Sequence, residues 1–111
     1  MQDKYDLELF KQKAELCKSF SDPKRLMIIH ELRDGEKSVG DLVMALEVPQ
    51  AVVSRHLAIL RNRGIVATRR YGVNIFYSLA DPKILEACDI VHEILLGYVA
   101  RNREMADKFI A

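Results

Sequence analysis

The chain has only two cysteines in 111 residues, Cys17 and Cys88. That is too few for a disulfide framework, and their separation fits no zinc motif. No apolar run approaches the roughly 20 residues needed to cross a bilayer, so no membrane partner is expected. The opening MQDKYDLELFKQK is charged and holds no continuous apolar stretch, so it reads as lacking a signal segment, and a cytoplasmic location fits. There is no Gly-rich phosphate loop, no nucleophile elbow and no His/carboxylate set with catalytic spacing. The chain is therefore not expected to be an enzyme, and no cofactor is expected. Repeats and low-complexity segments are also missing.

One further absence is informative. Between Glu47 and Asp81, residues 48–80 contain no Asp or Glu but do contain Arg55, Arg61, Arg63, Arg69 and Arg70, with His56. This segment carries +5, while the rest has 12 basic against 16 acidic residues, or −4, giving the formal net charge of +1. An acidic body with one acid-free basic segment can present a local positive surface despite a near-neutral total. The apolar pattern within the segment argues against a merely solvated loop. Half of all residues are hydrophobic and 30% are charged, as expected for one domain spanning 1–111. So short a chain buries a small fraction of its surface, and a surplus apolar face becomes a candidate for a partner chain.

Leu9, Leu16 and Phe20, flanked by Phe10, Ala14 and Cys17, recur at helical spacing and predict a helix over 4–20. Asp22 is a good N-cap, and Pro23 suits the first position of a second helix carrying Leu26, Ile28, Ile29 and Leu32, which stops at Asp34-Gly35. Ser38 and Asp41 read as a capping box for a short helix with Val39, Leu42, Val43 and Leu46 on its apolar side. After Glu47-Val48-Pro49 a helix is expected over about 50–62, with Val53, Leu57 and Leu60 buried. Two strands follow, 65–70 and 73–79, turning at Gly72. Asp81-Pro82 then starts a last helix to about Lys108, apolar over more than the single stripe that one core requires.

A short helix, a three-residue turn and a second helix with a polar outer face make a helix-turn-helix. The second helix fits the major groove, where Gln pairs with an adenine edge and Arg with guanine or phosphate. The residues so placed are Gln50, Ala51, Ser54 and Arg55. Arg69, Arg70 and Tyr71 near the hairpin tip form a wing able to reach backbone or minor groove.

The run FSDPKRLMIIHELRDGEKSVGDLVMALEVPQAVVSRHLAILRNRGIVATRRYGVNIFYSL resembles the arsenic- and metal-responsive, ArsR-type, repressors. The match covers roughly 16–80, and QAVVSRHLAILRNRGIV followed by Tyr77-Ser78-Leu79 is its most specific part. The resemblance implies an α+β, mostly helical winged helix-turn-helix of about five helices and one hairpin. It assigns Gln50, Ser54, Arg55 and His56 to the recognition helix, and Arg69, Arg70, Tyr71 and Gly72 to the wing. It also implies a homodimer through the terminal helices, 4–20 and 82–108, acting as a promoter-occluding repressor on a two-fold operator in double-stranded DNA. Glu47 stands where such proteins often have Gly, and Pro49 where a Ser or Thr cap is common. A left-handed non-Gly residue at the first costs about 1–2 kcal/mol.

Ser38 and Gly40 occupy the two thiolate positions of one metal site known in that family, so it is lost. For a second site on the last helix the chain offers Asp81 and His92, but Lys83 and Leu95 stand where ligands are needed. No metal is expected at either. Cys88 and His92, at i and i+4, share a helix face; with Cys17 they leave open a thiol switch or a soft-metal site. The competing reading makes both thiols buried packing residues. His30 reads as a packing residue, His56 as ordering the motif through hydrogen bonds, and Tyr71 as either contact or exposed turn. A winged helix can also act as a protein adaptor; salt-sensitive retention on heparin or duplex DNA separates that reading from DNA binding.

Overall fold

A computed structural model describes residues 5–109, with the side chains of all but 105 and 106. Residue 4, where the first helix is expected to start, lies outside the described residues, and Tyr5 and Asp6 are not helical. Asp6 caps α1 (Leu7–Ser19) by accepting the amide of Leu9. Asp22 does the same for α2 (Pro23–Glu31), accepting from Lys24 and Arg25 at 2.7 and 3.3 Å, with Pro23 in the first turn where no N–H is needed. A single 3-10 turn, Leu32–Asp34, ends this helix, and Gly35 leaves it at φ 133°.

Ser38 has two tasks. It closes the two-residue strand β1 (Lys37–Ser38), and its hydroxyl accepts from the Asp41 amide while the Asp41 carboxylate accepts from its own, a complete capping box for α3 (Val39–Leu46). Glu47 then takes the left-handed conformation, φ 55° and ψ 42°, the single non-Gly residue among those described with positive φ. That turn swings α4 (Gln50–Asn62) to 117° from α3, within the range of a helix-turn-helix.

β2 (Val66–Tyr71) and β3 (Asn74–Leu79) form an antiparallel hairpin paired from Val66↔Leu79 to Tyr71↔Asn74. Gly72 has φ 62° and Val73 does not share the positive sign, which is the pattern of a II′ turn with glycine at its first central position. β1 pairs with the far side of β3, giving a three-stranded sheet in the order β1-β3-β2. The core beneath is apolar: Ile28 and Ile29 of α2, Leu42 of α3, Val53, Leu57 and Leu60 of α4, with Ile65 and Val66, all at most 3% exposed.

The chain divides between Asp81 and Pro82 into two compact units. The first holds everything above. The second comprises α5 (Lys83–Arg101) and α6 (Arg103–Phe109). The one long helix expected to Lys108 is thus two, interrupted at Asn102, whose backbone is extended (φ −108°, ψ 103°). Asn has low helix propensity because its side chain competes for backbone partners, and nothing else in the local sequence marks the break. Among the described residues no single helix is long and apolar enough to cross a membrane.

Candidate nucleic-acid interface

The amphipathic pattern of α4 sorts its side chains. Val53, His56, Leu57 and Leu60 are buried, whereas Gln50, Ala51, Ser54, Arg55, Ala58 and Arg61 are exposed in one continuous stripe. Pro49 precedes the helix in an extended conformation and contributes no capping oxygen, so the first-turn amides face outward without a side-chain acceptor. The start of α4 therefore carries a partial positive charge beside Gln50 and Ala51.

His56 is the exception among the expected contact residues. It is 5% exposed, and its Nδ1 lies 3.1 Å from Nη1 of Arg25. A guanidinium only donates, so Nδ1 must be the unprotonated acceptor, leaving Nε2–H directed at Asp22 3.8 Å away. Burial, outweighing the opposing charge of Asp22, holds the imidazole pKa below its ordinary value, with Arg25, Arg55 and Lys24 adding to the effect. The Asp22–His56 proximity is accordingly not an ion pair at neutral pH. Arg25 also donates from Nε to the Ser19 carbonyl at 2.8 Å and from Nη2 to that of Lys18 at 3.4 Å, satisfying the end of α1. His56 thus joins α4 to α2 and α1 rather than facing outward.

The hairpin tip is exposed throughout: Arg70, Tyr71 at 69%, Gly72, and Val73 at 95%. Val73 belongs to the turn, not to the strand the alternating pattern gave it, because the two turn residues are Gly72 and Val73: β2 runs on to Tyr71 and β3 starts at Asn74. It is a tip residue that sequence reasoning missed. Strand alternation puts Arg69 and Tyr71 on one face and Arg70 on the other.

The five arginines of the acid-free segment are not equivalent. Arg63 donates to Glu15 at 2.7 Å, and Arg69 makes a two-pronged pair with Glu36. No described acid lies within ion-pair reach of Arg55, Arg61 or Arg70. In the single chain Cys17 is exposed on α1 and Cys88 is half-buried on α5. Among the described residues no three His, Cys, Asp or Glu side chains gather where a metal ion could be held.

Comparison with known proteins agrees with this geometry. The bacterial regulatory protein family arsR matches at residues 22–68. An HTH-type transcriptional regulator of Methanocaldococcus jannaschii is 37% identical over 89 residues, covering 79% of this chain and all of its own. The biofilm growth-associated repressor of Xylella fastidiosa strain 9a5c is 40% identical over 91 residues, covering 82% of this chain and 77% of that protein. Among solved structures, a homodimeric winged helix-turn-helix DNA-binding domain from Mycobacterium bovis superposes with a TM-score of 0.76 at 25% identity, covering 86% of this chain and 88% of that one.

Proposed function

The chain belongs to the arsR family of bacterial regulatory proteins, and from that premise we propose that it is a sequence-specific DNA-binding regulator, a homodimeric cytoplasmic repressor that occupies a promoter. One observation carries the reading: an exposed polar stripe on α4, together with an exposed hairpin tip, offers Arg55, Arg61 and Arg70 with no described acid opposing them. Gln50, Ala51, Ser54 and Arg55 read base edges from the major groove, while Arg70, Tyr71 and Gly72 meet the backbone beyond it. His56 and Arg69 serve from behind.

Two rows of exposed apolar side chains support the homodimer. On α1 they are Leu7, Leu9, Phe10 and Leu16; on α5 they are Ile90, Val91, Ile94 and Leu95, all between 43% and 68% exposed in the single chain. Rows of this extent on a chain of 12.7 kDa mark an interface. Two-fold symmetry would then require a palindromic operator.

The test is selection of bound genomic fragments, followed by Arg55→Ala. A bidentate base contact discriminates by about 1–3 kcal/mol. The variant should therefore lose roughly ten- to hundredfold per half-site on the selected site and far less on mixed-sequence duplex. Equal losses on both would reduce Arg55 to a phosphate contact. A protein that retains no duplex at low salt would be an adaptor instead.

A further inference from the structure

We propose that Arg69 is a positioning residue which, through Glu36, fixes the attitude of the wing, and that Arg70 is the wing's phosphate contact. The inference rests on the DNA-binding reading above and divides roles within it.

Arg69 lies on β2. Its Nε donates to Oε2 of Glu36 at 3.1 Å and its Nη2 donates to Oε1, so guanidinium and carboxylate meet fork to fork. Glu36 immediately precedes β1, Ser38 of β1 pairs with Phe76 of β3, and Phe76 pairs with Arg69. The side chain thus crosses from one edge of the sheet, over β3, to the segment entering the other. It runs with Cζ 5.2 Å from the centre of the Phe76 ring and 5.7 Å from that of Tyr71, within range of cation–π attraction.

This arrangement occupies the two nitrogens best placed for a bidentate phosphate contact. A phosphate approaching Arg69 would also meet the Glu36 carboxylate. The paired guanidinium holds that carboxyl below its usual pKa, and the carboxylate in turn raises that of Arg69, so both charges persist wherever DNA is bound. Arg70 is one residue nearer the tip, on the opposite face, and no described acid pairs with it.

The wing needs such a strut. β1 pairs with only two residues of β3, Phe76 and Tyr77, so beyond them the hairpin is a two-stranded ribbon. Isolated two-stranded ribbons are marginal and twist readily. The Glu36–Arg69 bridge ties β2 to the segment entering β1 at the rung Ser38–Phe76–Arg69, the last one before the two-stranded ribbon begins. With side chains 52% and 38% exposed it contributes direction more than stability.

The experiment uses the full chain and a mixed-sequence duplex, with affinity followed across a salt series for Arg70→Ala, Arg69→Ala, Glu36→Gln and the charge swap Glu36→Arg/Arg69→Glu. Hairpin hydrogen exchange is measured on each protein without DNA. Arg70→Ala should lower the salt slope by about 1.8, the value of two phosphates, one for each protomer of the homodimer. Arg69→Ala should leave the slope unchanged and weaken binding by no more than about fivefold per protomer, the scale of an exposed pair. Glu36→Gln should weaken it alike, and both should speed hairpin exchange. The swap should restore affinity and protection, because it rebuilds the bridge. If Arg69 instead held a phosphate, the swap would place a carboxylate on the DNA and bind worse than Arg69→Ala, while Glu36→Gln would bind tighter than the parent. Either result overturns the proposal, as does the absence of any loss in both single variants. A parent that shows no salt-dependent binding sinks the DNA reading instead. Hairpin exchange in the swap then decides the strut alone, restored protection supporting it and lost protection overturning it.

Discussion

The contact between Arg25 and His56 sets a specific acid sensitivity. Because Nη1 of Arg25 donates to Nδ1 of His56 at 3.1 Å, protonating that nitrogen turns an acceptor into a donor facing a donor. Burial already holds the imidazole pKa below 6.5. A group whose folded pKa is depressed contributes stability that is present above its unfolded pKa and lost as pH falls through the folded one. Stability should therefore hold above about pH 6.5 and decline below it. The Asp22 carboxyl titrates in a separate, lower window. Desolvation pushes it up, but the amides of Arg25 and Lys24 and the nearby positive charge outweigh this and hold it below 3.8, so its contribution is lost only in stronger acid.

His56→Asn isolates the histidine, since an Asn carbonyl can take the acceptor position of Nδ1 and does not titrate. At pH 7.5 it should cost about 1 kcal/mol, whereas His56→Ala should cost about 2 kcal/mol, because it adds an unmet donor on Arg25 to a lost buried ring. Urea denaturation at fixed protomer concentration, at pH 7.5 and 5.5, measures both quantities. The parent should lose stability between the two pH values and His56→Asn should lose measurably less. Identical pH dependence in parent and Asn variant would refute the assigned tautomer and the role of His56 with it.

Two other outcomes are expected. Glu47→Gly should raise stability by about 1 kcal/mol in the same assay, because Glu47 sits at φ 55° where a side chain is strained and glycine is not. Ile94→Glu, at a side chain 65% exposed in the single chain, should leave the circular dichroism spectrum intact while sedimentation moves from twice 12.7 kDa to the single-chain mass; an unaltered dimer would place the interface elsewhere.

What the sequence disclosed was local chemistry. Asp22-Pro23 as cap and first turn, Ser38 with Asp41 as a capping box, and Gly72 at the hairpin turn all follow from side chains acting within three residues of themselves. The strain at Glu47 was legible too, as a residue in the place of a glycine. Strand β1 was not, because two residues have no periodicity and Lys37–Ser38 is defined only by a partner 38 or more residues away. Asn102 interrupts the last helix without a glycine or proline to announce it. Arg63–Glu15 and Arg69–Glu36 span 48 and 33 residues, so no window along the chain contains them.

Those two pairs change what the basic segment means. Counted along the chain it carries +5, but the fold returns acids to two of its arginines from outside the segment. What a polyanion meets is then Arg55, Arg61 and Arg70. Each phosphate neutralised by a cation contributes about 0.9 to the salt slope on duplex DNA. With Arg55 on base edges, the other two unpaired arginines, four in a homodimer, would give the segment a slope of about −4, and all eight besides Arg55 about −7. A measured value near the smaller figure means the bridges to Glu15 and Glu36 stay closed on DNA, as an architectural role requires. A value near the larger means that binding opens them, and the acids would then be competitors released by the operator rather than parts of the frame.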